Sequence, residues 1–116
     1  MGLWDERVAF QKDVRKLTDY VESLGYEVIW EEVKRPIEMQ AIYFKTGKSK
    51  TMNSKHLDGL AIDMVFKKNG KVIWYLEEAG RFWESLSPKN RWGGNFDRDW
   101  TKRDKFVDGP HFERRA

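Results

Sequence analysis

The chain contains no cysteine among its 116 residues. Disulfides, thiolate metal sites and a cysteine nucleophile are therefore excluded. Any metal must be held by His, Asp, Glu or water. Histidine is scarce as well: only His56 and His111 occur. No apolar run approaches the ~18 residues that a membrane span needs, so no membrane partner is expected. The start, Met1 to Arg7, lacks the basic and then apolar pattern of a secretory signal. A protein made in the cytoplasm, reaching any outer site only after release, is expected. There is no internal repeat and no linker. A length of 116 residues suits one domain, 1–116, with a real core, and a monomer is expected.

What the chain does have is aromatic mass and charge. Six Trp, four Tyr and seven Phe predict a packed interior, and 35% charged residues predict a solvated surface. The net charge of +3 is mildly basic. That balance suits an anionic polymer such as a bacterial cell wall or a nucleic acid, or simply a well-solvated exterior. Lys45, Lys48, Lys50 and Lys55 share one polar segment. No nucleic-acid motif accompanies them, so the segment reads as a solvated loop and no nucleic acid is expected as partner.

Periodicity supplies the elements. Phe10, Val14, Leu17, Val21 and Leu24 recur at helical spacing within 4–24, and Gly25 stands where a left-handed residue ends a helix. Tyr26 to Trp30 predicts a strand. Pro36 opens a second helix whose apolar face is Ile37, Ala41 and Phe44, and Thr46-Gly47 ends it. Leu60 to Phe66 is apolar except for Asp63 and predicts a buried central strand. Asn69-Gly70 predicts a tight hairpin into Lys71–Tyr75. A further helix is expected over 76–86, with Leu76, Ala79, Trp83 and Leu86 inward. Short strands are expected at Arg91–Gly94 and His111–Glu113, with 95–109 patternless. The sum is an α+β fold, a small antiparallel sheet with flanking helices.

Two segments carry candidate chemistry. Asp63 lies inside an apolar run, where a carboxylate is costly to bury alone. It is a metal ligand, half of an ion pair, or a residue at a wet strand end. His56 stands seven residues earlier, which on a straight strand would place it on the opposite face. Gly59 is where the chain can bend to bring the two together. The second segment is Asp108-Gly109-Pro110-His111, in which Pro110 restricts itself and Gly109. His56, Asp63 and His111 would make a three-ligand site with one tetrahedral position left for water, the arrangement of a catalytic zinc. Zinc over other divalent ions is a preference from ligand type. Such a site needs a carboxylate outside the ligand set to take a proton. Asp108 is the first choice and Glu113 the second, with a surface charge or a partner to His111 as the alternatives for Glu113. Arg35 is a candidate oxyanion donor or a surface charge. Ser54 is a candidate substrate contact or a turn cap, and Trp92 beside Gly93-Gly94 a groove wall or a core residue.

Ser54-x-His56-x-x-Gly59-x-Ala61-x-Asp63 followed by Asp108-x-Pro110-His111-Phe112-Glu113 resembles the zinc D-alanyl-D-alanine carboxypeptidase and L-alanyl-D-glutamate endopeptidase family, many of whose members are phage endolysins. Arg35 with Gln40, and Trp92-Gly93-Gly94, extend the resemblance over residues 30–113. It implies a small α+β domain also shared with the hedgehog signalling domain, and zinc held by His56, Asp63 and His111. It implies Asp108 as catalytic acid and base, Arg35 on the substrate carbonyl, and Ser54 as a polar neighbour of the first ligand; Ser54, Gln40 and Trp92 are the expected substrate contacts. Endopeptidase-like members carry Asp where many carboxypeptidase-like members carry Glu, so Asp108 leans toward the endopeptidases. The implied function is hydrolysis of the peptide stem of bacterial peptidoglycan by an endolysin. The alternatives are a D-alanyl-D-alanine carboxypeptidase or a non-catalytic, zinc-stabilised wall-binding protein.

Overall fold

The structure, a computed structural model, describes residues 2–31, 58–95 and 108–115. The helix expected from Pro36 and the lysine-rich segment lie outside the described residues. The first helix, α1 (Leu3–Ser23), buries Phe10, Val14, Leu17 and Val21, the face that periodicity predicts. Glu6 and Asp13 are buried on it too. Gly25 ends the helix at φ +93°. The Gly25 N–H donates to the Glu22 carbonyl (3.0 Å) and the Tyr26 N–H to the Val21 carbonyl (3.4 Å). These are the paired bonds of a glycine-terminated helix.

Five antiparallel strands follow the order β1-β2-β5-β4, with β3 also on β2. They are β1 (Glu27–Trp30), β2 (Ala61–Lys68), β3 (Lys71–Ile73), β4 (Asn90–Trp92) and β5 (His111–Arg114). The hairpin between β2 and β3 has Asn69 at φ 53° and Gly70 at φ 77°, the two positive values of a tight turn matched to strand twist. A second helix, α2 (Glu77–Leu86), buries Ala79, Gly80 and Trp83. A short 3-10 turn, Gly93–Asn95, follows β4. With the helices flanking one antiparallel sheet, the fold is α+β, as its residue pattern predicts.

Two strands stop earlier than their composition suggests. β3 ends at Ile73 because the next place on that edge of β2 is taken: the Met64 N–H donates to the Pro110 carbonyl at 2.8 Å. β4 ends at Trp92 because Gly93 turns against the Asp108 backbone, whose N–H donates to the Gly93 carbonyl at 3.0 Å. A Cβ on Gly93 would stand 2.2 Å from the Asp108 carbonyl oxygen.

The core lies between the helices and one sheet face. Alternation sends Leu60, Ile62, Met64 and Phe66 into it and Asp63, Val65 and Lys67 to the other face. Phe10, Trp83 and Phe112 meet edge to face, with centroids 5.7 and 6.0 Å apart. The Trp83 indole N–H donates to the Glu113 carbonyl at 3.0 Å. The buried Asn90 amide donates to Asp13 and to the Trp83 carbonyl, each at 3.0 Å. Together these bonds seat β4 and β5 on both helices.

Candidate metal centre

β2 delivers Asp63 and β5 delivers His111, and the two are direct partners across the antiparallel ladder. Such partners point to the same side of the sheet. Asp63 Oδ1 and His111 Nδ1 stand 3.6 Å apart, too far for a hydrogen bond. His111 is buried, whereas the Asp63 side chain keeps 26% exposure. The carboxylate is therefore neither isolated in the core nor fully in water.

The other imidazole nitrogen, Nε2, lies 2.8 Å from Glu113 Oε1. Glu113 follows two residues later on β5, so alternation returns it to the same face. Its second oxygen accepts from Arg115 Nε at 2.8 Å. Burial alone would lower the His111 pKa, but the carboxylates of Asp63 and Glu113 and the charge of Asp108 push it up to about 9. Burial would raise the Glu113 carboxyl, but the hydrogen bond and charge of His111, and then those of Arg115, hold it at about 2. The metal-free site thus favours an imidazolium between carboxylates.

A divalent cation would replace that proton on Nδ1. Two ligands of a tetrahedral zinc, at ~2.0–2.2 Å from the ion, stand about 3.4 Å apart. The 3.6 Å gap between Asp63 Oδ1 and His111 Nδ1 matches that spacing closely. The contact from Nε2–H to Glu113 is what a metal-binding histidine ordinarily makes through its far nitrogen. The spacing of these two donors therefore fits zinc. No three such side chains form a metal-binding group among the described residues. Glu113 lies across the ring from Asp63, and His56 is outside the described residues, as are Arg35, Gln40 and Ser54.

The expected bend between His56 and Asp63 is present. Asp58 and Gly59 form a turn, with Gly59 at φ +72°. Arg7 of α1 clamps it, donating from Nε to the Asp58 carbonyl at 2.7 Å. A Cβ on Gly59 would fall 2.9 Å from that same nitrogen.

Asp108 is exposed at the start of the turn into β5. Its carbonyl accepts from the His111 N–H at 3.0 Å, so the turn fixes the Asp108 backbone relative to β5. Trp92 is wholly buried, which fits its alternative reading as a core residue and leaves it no groove to wall. Its indole N–H donates to the Gly109 carbonyl at 2.7 Å, so it holds the Asp108–His111 turn from beneath. Gly109 packs so closely that a Cβ would stand 2.1 Å from the Trp74 carbonyl oxygen. Arg115 belongs to this site as the second partner of Glu113. The run His111-x-Glu113-x-Arg115 has the alternation that would reveal it, a row of charges on one face of a strand.

Comparison with known proteins bears on this geometry. The family described as Phage L-alanyl-D-glutamate peptidase matches residues 9–114. The L-alanyl-D-glutamate peptidase of Listeria phage A118 is 40% identical over 103 residues, which is 85% of this chain and 34% of that protein. The crystal structure of the Serratia marcescens L-Ala D-Glu endopeptidase ChiX is similar with a TM-score of 0.56 at 26% identity. That match covers 76% of this chain and 66% of ChiX. The chain thus spans about a third of the length of the Listeria phage relative.

Proposed function

Because the chain belongs to the phage L-alanyl-D-glutamate peptidase family, we propose that it hydrolyses the L-alanyl–D-glutamate bond in the peptide stem of bacterial peptidoglycan. The observation that carries the proposal is His111, held by Glu113 on one nitrogen and facing Asp63 with the other. That arrangement supports a metal-binding reading, with Glu113 as the group behind the histidine. In this reading Asp63 and His111, with His56, would hold zinc. When bound, zinc supplies a Lewis acid for the scissile carbonyl and makes water acidic enough to attack near neutral pH.

The protein groups do the rest. Glu113 keeps a proton on His111 Nε2 and so leaves the Nδ1 lone pair for the metal, on the side that faces Asp63. Asp108 takes the proton lost by the attacking water. It returns that proton to the glutamate nitrogen as the C–N bond breaks, so one carboxylate serves as base and then as acid. Its place on a turn built from Gly109 and Pro110, pinned by Trp92, keeps it near the ligand strand without making it a ligand. Arg35 steadies the oxyanion, and Ser54 and Gln40 contact the stem peptide. The whole chain works as one catalytic unit. No helix among the described residues is long and apolar enough to cross a membrane, and action on the wall as an endolysin follows release from the cell that made it.

Asp108→Asn tests the assignment. We expect peptidoglycan hydrolysis to fall at least about 100-fold, the usual scale for a positioned acid–base group, with zinc still bound by metal analysis. Undiminished turbidity clearing would remove Asp108 from the mechanism. Mass spectrometry of the released fragments, with and without chelator, separates the endopeptidase from a D-alanyl-D-alanine carboxypeptidase. It also separates both from a wall-binding protein that releases nothing.

A further inference from the structure

The sheet face that carries Asp63 and His111 continues beyond them. Alternation along β2 places Val65 and then Lys67 on it. Across β1, Ile29 pairs with Val65 and Glu27 with Lys67. On the other edge Phe66 pairs with Ile73, and Val72 with Lys67. Ile73 packs against the core, so Trp74, directly after it, turns to the opposite side, beside Val65. Tyr75 returns to the core and meets Trp92 at 4.9 Å.

The face is therefore ordered in rows. Asp63 and His111 form the first, Ile29, Val65 and Trp74 the second, and Glu27, Lys67 and Val72 the third. Successive rows are about 7 Å apart, two residues along a strand. Trp74 is 59% exposed, although its backbone is fixed: its carbonyl oxygen lies against Gly109, two residues before His111. The indole is thus held by a fixed backbone one row from Asp63 and His111, with more than half of its surface open to solvent. Val65 is itself buried, so the exposed apolar surface is Ile29 on one side and Trp74 with Val72 on the other, beside the charged Glu27 and Lys67. That is far too small for a protein interface and about the size of one sugar ring.

Resting on the proposed L-alanyl–D-glutamate cleavage, we propose that Trp74 is the platform for the muramic acid sugar that carries the stem peptide. In peptidoglycan the alanine nitrogen is acylated by the lactoyl ether of that sugar. From the scissile carbonyl, one alanine and one lactoyl group intervene, each about one residue long. The pyranose therefore lies about 7 Å from the reacting carbon, which is the spacing between the first and second rows. A pyranose presents a face of C–H bonds, weakly positive, to the negative π face of an indole. The platform would make the enzyme a reader of the glycan-linked end of the stem, where a free peptide offers nothing to stack.

The test compares two soluble substrates. One is N-acetylmuramyl-L-Ala-D-Glu-L-Lys, and the other is the same tripeptide capped by a lactoyl group without the sugar. For the wild-type protein we expect kcat/KM to be about threefold to tenfold higher on the muramyl substrate, the range of an aromatic contact. Trp74→Ala should bring that ratio close to one, and Trp74→Phe should restore part of it. Equal wild-type rates on the two substrates would overturn the proposal. So would a Trp74→Ala protein that keeps the ratio, because a merely structural role slows both substrates alike. A wild-type protein that cuts neither substrate would instead overturn the cleavage reading itself.

Discussion

Glu113 shows what a single side chain contributes here. Its two oxygens face different cations, His111 on one and Arg115 on the other. Replacing it with Gln keeps the shape and removes the charge that favours a proton on Nε2. On the proposed zinc reading, Glu113→Gln should weaken zinc binding about 10- to 100-fold, the usual cost of losing the group behind a metal-binding histidine. Competition against a chromogenic chelator measures it, and an unchanged affinity would leave Glu113 with a purely structural role. Residues at this scale were unevenly legible. Asp63 stood out because a carboxylate interrupts an apolar run, and His111 because the chain has so few histidines. Glu113 could be put on His111's face by alternation, but that pattern does not say whether it meets the ring or the solvent. Trp92 beside two glycines could be read as wall or core, and only its burial decides.

Gly80 makes the corresponding point for elements. Within α2 a glycine costs about 1 kcal/mol relative to alanine, and periodicity gives no reason for it. The reason lies on β4: a Cβ on Gly80 would stand 2.0 Å from the Trp92 ring. The helix therefore approaches the strand closely enough for Trp92 to reach the Gly109 carbonyl. Gly80→Ala should raise helix propensity yet destabilise the fold by about 1–3 kcal/mol through overpacking, as read from urea denaturation. It should also lower peptidase activity, because the displaced indole supports the turn that carries Asp108. A more stable variant would show that Trp92 has room to move. The elements themselves were largely legible, since α1, the Asn69-Gly70 turn and β2 follow local rules. The ends of β3 and β4 were not. Each stops where a segment more than ten residues away in sequence takes its place, and no local pattern carries that information.

For the whole molecule, the question is what ties β5 to the first helix. Arg114 of β5 donates to Glu6 of α1 at 2.6 Å, and Lys89 donates to the same carboxylate at 2.7 Å. The hydrogen bond from Lys89, then that from Arg114, holds the Glu6 carboxyl below its ordinary 4.5. The folded pKa is the lower one, so the unfolded chain binds the proton first. The stabilisation is complete above pH 4.5 and is lost as the pH falls through the folded value. Glu6→Gln should therefore be less stable than wild type at pH 7, with the two curves converging as the pH drops below about 4.5. Urea midpoints across that range check the sign, and a constant difference would exclude Glu6 from the acid response. This tie joins residues 108 positions apart, and neither charge announces the other in the sequence. The strand order β1-β2-β5-β4 was hidden for the same reason. β2 serves two neighbourhoods at once: its later half is hydrogen-bonded on both edges, to β1 and β3, and its first half to β5. Asp63 sits where the two halves join, with the Glu31 N–H donating to its carbonyl. No cooperative unit can open around Asp63 without also breaking the strand that spans the core. Fluctuations that separate Asp63 from His111 are thus expected to approach global unfolding events, which would give that pair the kinetic persistence of the strand that spans the core.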